Sequence, residues 1–114
     1  MKKFIISVQE AIGQLQQENQ KAFTVVMEHG TMSVEYFAPV VADTQQPHLQ
    51  DELYIIVSGD AQLFRNGETT SCSEGDVIFV PAGMEHRFES FSMDFATWAI
   101  FYGQEGGESI NRNL

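Results

Sequence analysis

The stretch QPHLQDELYIIVSG, Gln46 to Gly59, decides how the rest of the chain is read. His48, one of only three histidines, stands here with Asp51 and Glu52 directly before an apolar run. Read as a strand, its side chains alternate between faces. Gln46, His48, Gln50 and Glu52 then share one face, which Tyr54 and Ile56 continue. Asp51 points the other way, toward a solvated or structural role. A carboxylate on an inward face stays ionised only beside a positive partner, and a metal ion is such a partner. One strand rarely closes a metal site, so a further donor is expected elsewhere. His29 sits at the tip of a predicted hairpin, where it reads as a solvated turn residue. His86 lies in GDVIFVPAGMEHRFES, where Gly75 opens a strand, Pro81-Ala82-Gly83 makes a rigid turn and His86 begins the next strand.

The 114 residues suit one domain with a real core. Sixteen acidic residues against six basic ones give a formal net charge of -10. That balance repels phosphate backbones and anionic membrane surfaces, so neither nucleic acid nor membrane is an expected partner. Cys72 is the one cysteine. A lone thiol forms no internal disulfide, and it reads as a half-buried strand residue in a reducing cytoplasm. The apolar run Phe4–Ile6 behind a basic start is too short for a signal-peptide core.

SVQEAIGQLQQEN predicts a short helix. Ser7 and Glu10 have capping-box spacing, and Val8, Ile12 and Leu15 recur at helical period. After it come about eight short strands rich in β-branched and aromatic residues, separated by turn signals, as in a sandwich or barrel. His29-Gly30 and Asn66-Gly67 read as hairpin turns. The expected division is an N-terminal strand or helix extension at 1–22, a barrel at 23–103 and a flexible tail at 104–114.

These two segments resemble the paired motifs of the cupin superfamily. The first motif is G(x)5HxH(x)3-4E(x)6G, matched here by Gln46, His48, Glu52 and Gly59. The second is G(x)5PxG(x)2H(x)3N, matched by Gly75, Pro81, Gly83 and His86. Val40 stands for the first glycine, Gln46 for the first histidine and Ser90 for the final asparagine. The resemblance implies an all-β fold, the double-stranded β-helix or jelly-roll barrel, with the short helix in front. It also implies one divalent metal ion, zinc, iron, manganese or nickel, on His48, Glu52 and His86. Gln46 is either a fourth ligand or a partner for a bound water. Phosphomannose isomerases, which are cupins, are similar in using a Gln-x-His pair.

Two imidazoles and a carboxylate with open positions suit dioxygenase or isomerase chemistry on a small polar molecule. The other reading is a non-catalytic binding or regulatory module. No basic residue is expected on the inward strand faces, since Arg87 alternates away from His86 toward a surface ion pair. Tyr54, Phe88, Trp98 and Tyr102 read as core. Many cupins pair through barrel edges, so a homodimer is expected, with Phe4–Ile6 available for exchange.

Overall fold

The computed structural model describes residues 4–18 and 21–108. One helix, α1 (Val8–Gln17), precedes eight strands: β1 (Phe23–His29), β2 (Met32–Phe37), β3 (Asp51–Ser58), β4 (Asp60–Arg65), β5 (Glu68–Ser73), β6 (Val77–Val80), β7 (His86–Phe91) and β8 (Ala96–Tyr102). They form a five-stranded sheet in the order β1-β2-β8-β3-β6 and a three-stranded sheet in the order β5-β4-β7, and every pairing is antiparallel. Together these make the jelly-roll barrel that the paired motifs imply.

The inner faces follow from period-two burial. Along β3, Glu52, Tyr54 and Ile56 are buried, and they meet Leu63, Val80, Phe88, Phe95, Ala99 and Phe101 in the main core. A smaller core lies outside the large sheet. There Ala11 of α1 packs on Tyr36 and Ala96, with Val8, Ile12, Leu15 and Trp98 around them. The helix starts as its sequence predicts. Ser7 Oγ accepts from the Glu10 backbone N–H at 3.0 Å, and Glu10 Oε1 accepts from the Ser7 N–H at 2.9 Å. This reciprocal pair satisfies two otherwise free amides.

Asn66 and Gly67 both adopt positive φ, +50° and +89°, and join Arg65 to Glu68 in the predicted two-residue hairpin. Gly59 is a different case. A side chain there would sit 2.8 Å from Phe95 Cα, where the chain from β7 to β8 crosses close by. No helix among the described residues is long and apolar enough to cross a membrane.

One expectation is corrected here. Residues 46–50 are not strand: β3 begins at Asp51, and the stretch before it is irregular. Pro47 supplies the physical reason, because it has no N–H to give a ladder and restricts the residue before it. The strict alternation that placed Gln46 and Gln50 beside His48 therefore does not operate.

Candidate metal centre

Glu52, second in β3, lies opposite Val80 of β6 and Phe101 of β8, with its side chain inside the barrel. His86 opens β7 in the other sheet and is also buried. His48 comes from the irregular segment before β3, and about a third of its side chain is exposed. Its ring packs edge-on to Phe101, with centroids 4.6 Å apart. Donor atoms of His48, Glu52 and His86 all fall within 4.8 Å of one another. His86 Nε2 is 3.2 Å and His48 Nε2 3.8 Å from Glu52 Oε1.

Backbone clasps hold the two motifs together. The Gly83 N–H donates to the His48 carbonyl at 2.8 Å, and the Ala82 N–H donates to Asp51 Oδ1 at 2.9 Å. Asp51 Oδ2 also accepts from the Glu108 N–H at 2.9 Å. The structural role foreseen for Asp51 is thus found, though the carboxylate is buried rather than solvated. The turn after β6 fixes His48 in this way, although the two lie more than thirty residues apart in sequence.

The chemistry of the donor set fits a cation. Glu52 Oε1, Glu52 Oε2 and His86 Nε2 are fully buried and have no hydrogen-bond partner. The 3.2 Å approach of Nε2 to Oε1 lacks hydrogen-bond geometry. Orphaned buried acceptors cost about 1–3 kcal/mol each, and more when charged. No Lys or Arg pairs with Glu52 among the described residues. His86 Nδ1 lies 2.9 Å from the Met84 carbonyl. Donation from Nδ1 to that carbonyl leaves the Nε2 lone pair facing Glu52, the tautomer a metal needs. Burial opposes charge on His86, but the Glu52 carboxylate and the Met84 carbonyl outweigh it and raise its pKa. Burial lowers His48 despite the pull of Glu52. A divalent ion bound here would compete with a proton at His86, while burial favours the neutral imidazole of His48.

Of the residues singled out in the sequence, the structure brings together His48, Glu52 and His86. Gln46 is exposed and has no hydrogen bond among the described residues. It lines a cavity of about 480 Å³ that His86 also reaches. The amide beside His48 belongs to Gln45, whose Oε1 is 3.1 Å from His48 Nε2 and accepts from the Tyr54 hydroxyl at 3.2 Å. Gln45 Nε2 donates to Asp43 Oδ2 at 2.8 Å, which orients the amide oxygen toward the ring. Asp43 is buried and is held in turn by the Phe88 N–H at 2.8 Å. Neither Asp43 nor Gln45 was evident in the sequence, because their segment has no periodicity. Gln50 is turned away, donating to the Thr31 and Gly103 carbonyls.

A second cavity, of about 520 Å³, opens onto His48 and is lined also by Lys21, Glu35, Phe37, Asp43 and Gln45. The expected absence of a cation therefore holds for the strands but not for the rim, which Lys21 reaches from the loop before β1. Arg87 behaves as foreseen, paired with Glu85 and Glu89 and lying 4.4 Å over the Phe64 ring. Tyr54 and Phe88 are core; Trp98 packs against Tyr36 beneath the helix. A groove of about 410 Å³ between β5 and β6 includes no cluster of ligating groups among the described residues.

Known proteins agree with this architecture. Residues 23–98 match the Cupin domain family. An uncharacterized protein of Streptomyces coelicolor is 38% identical over 85 residues, covering 73% of this chain and 81% of its own length. A cupin 2 conserved barrel domain protein from Salinispora arenicola superposes with a TM-score of 0.63 at 20% identity, over 76% of this chain and 83% of the other. A Ralstonia eutropha protein whose provisional name is mannose-6-phosphate isomerase superposes at 0.57 with 25% identity, over 69% and 81% of the two chains. The family match runs from the start of β1 into β8, over both motifs and both sheets, and the chain belongs to the cupin superfamily.

Proposed function

We propose that the protein is a metal-dependent enzyme acting on a small polar molecule at the barrel mouth, with one divalent ion held by His48, Glu52 and His86. The carrying observation is the trio of buried, unpartnered donor atoms on Glu52 and His86, which face one another beside His48. When bound, such an ion supplies Lewis acidity at a carbonyl or hydroxyl oxygen. The residues around it do the rest. His48 is partly exposed, so the site opens toward the cavity of about 520 Å³, a size suited to a small ligand. Tyr54 keeps its proton, since burial and then Glu52 raise its pKa well above the ordinary phenol value, and it acts as a donor. Lys21 at the rim favours an anionic or oxygen-rich ligand. The likeness to the Ralstonia protein supports isomerase-type chemistry over oxygenase chemistry. An amide oxygen is the natural fourth donor, and the hydrogen bonds around Gln45 favour it over Gln46.

The test is elemental analysis of untagged protein purified without chelator, beside a His48→Ala/His86→Ala variant. Near-stoichiometric metal in the wild type and its loss in the variant are expected. Titration with zinc of Gln45→Ala and Gln46→Ala should show weaker binding only in the first, by about tenfold for a neutral ligand or its supporting contact. A wild type that stays metal-free after reconstitution with zinc, iron, manganese and nickel would overturn the reading. The non-catalytic binding module would then lead.

A further inference from the structure

Glu35 is a charged residue in the middle of β2, and the cupin motifs do not include it. Its register shows where it faces. Glu35 pairs with Ala99 of β8, and Ala99 pairs with Tyr54 of β3. Residues directly opposite in antiparallel strands share a face, and Ala99 and Tyr54 both belong to the barrel core. Glu35 therefore looks into the barrel, one row from the Ser33–Phe101–Glu52 row that carries a site carboxylate.

Two cavities, of about 520 Å³ and 410 Å³, are each lined by both Glu35 and His48. Glu35 is partly buried and has no hydrogen-bond or ion-pair partner among the described residues. It also lies outside the ligating cluster. The charged and titratable groups lining these cavities with it are Lys21, Asp43, His48 and Glu105, and Glu52 lies on the same face of the same sheet, two strands away.

We propose that Glu35 is the proton-transfer group of this site, and that the substrate class is a small α-hydroxy carbonyl compound. This rests on the metal-centre reading above. A carboxylate without a structural partner, facing the same space as an open Lewis-acid site, is placed to act on a C–H bond beside a coordinated oxygen. The step balances without an oxidant. The C–H bond next to the carbonyl breaks and its proton moves to Glu35. The electron pair forms the C=C bond of an enediolate, and the negative charge rests on the former carbonyl oxygen. Return of the proton to the former carbonyl carbon, with the hydroxyl proton passing to the former carbonyl oxygen, transposes the carbonyl; return to the same carbon exchanges hydrogen with solvent. Burial, and secondarily Glu52, raise the Glu35 carboxyl to about 7, where both proton-transfer forms coexist near neutrality.

The experiment follows hydrogen wash-out from dihydroxyacetone in D2O by proton NMR, using zinc-loaded wild type, Glu35→Gln and Glu35→Asp, with metal content measured on each. Wild type should exchange the hydrogens on both carbons beside the carbonyl. Glu35→Gln should lose the rate by on the order of 100-fold with metal content unchanged. Glu35→Asp should recover part of it. Equal rates in wild type and Glu35→Gln, or no exchange by fully metal-loaded wild type, overturn the proposal while leaving the metal centre intact. Loss of metal from Glu35→Gln also overturns it, by making Glu35 a ligand. A wild type that binds no zinc removes the metal-centre reading itself, and the elemental analysis shows that separately.

Discussion

Glu35 and Glu52 face the same barrel interior yet are built for different states. Glu52 is fully buried beside two imidazoles, whereas Glu35 has no such neighbour, and burial, with Glu52 second, favours its neutral form. A carboxyl raised in the folded state stabilises the fold while protonated, and that contribution disappears as pH rises through its folded value. For Glu35 the window runs from its ordinary 4.5 to about 7. Metal-free Glu35→Gln should therefore match wild type in melting temperature at the acidic end. It should exceed wild type increasingly as pH approaches neutrality, with no further change above about pH 7. A Glu68→Gln variant, at an exposed site on β5, controls for the altered net charge. Differential scanning calorimetry across this range reads the effect, and a pH-independent difference would contradict it.

At the scale of elements, the site depends on one irregular segment being locked to one turn. His48 lies outside any strand, so its position is inherited from its neighbours. Asp51 supplies the lock through two charge-assisted hydrogen bonds, to Ala82 and Glu108, while Gly83 binds the His48 carbonyl. Hydrogen bonds to charged groups contribute about 1.5–3 kcal/mol each. Asp51→Ala should lower stability by on the order of 3 kcal/mol in urea denaturation. It should also weaken zinc binding, although Asp51 is not in the ligating cluster. Unchanged zinc affinity in a folded Asp51→Ala protein would show that His48 is held by its packing on Phe101 instead.

The chain is strongly acidic, and among the described residues both edges of the large sheet carry exposed apolar side chains, Val77 and Phe79 on β6 and a second pair on β1. β1 is one edge of the large sheet, and Phe23 and Val25 on it are exposed, as are Phe4 and Ile5. An unpaired edge with apolar side chains favours strand-to-strand association. A homodimer paired through this edge is the expected state, seen as twice the chain mass in light scattering. Val25→Lys, which charges the edge without touching the core, should shift it to monomer. A wild-type monomer would place the exposed apolar groups in some other role.

What the sequence determined alone was whatever depends on local period or on rigid spacing. The capping box of Ser7 and Glu10, the Asn66-Gly67 hairpin and the alternating burial of Glu52, Tyr54 and Ile56 all follow from neighbours in the chain. The spacing from Gly75 through Pro81 and Gly83 to His86 placed His86 at the start of a second strand, after a stiff turn, and its resemblance to the second cupin motif made it a candidate ligand. Tertiary structure alone decided the surroundings of the candidate ligands. Pro47 breaks the ladder before β3, so strand parity carries no information about Gln45, Gln46 or Gln50. Long-range bonds from Asp43 and the Pro81–Gly83 turn set that segment instead. Glu35 shows the same limit from within a regular strand. Parity says which face of β2 it occupies, but only the assembled sheet, with Ala99 between it and Tyr54, sets that face beside the candidate ligand Glu52. Local rules act over a few residues, whereas a site closed by two sheets is specified by contacts that span most of the chain.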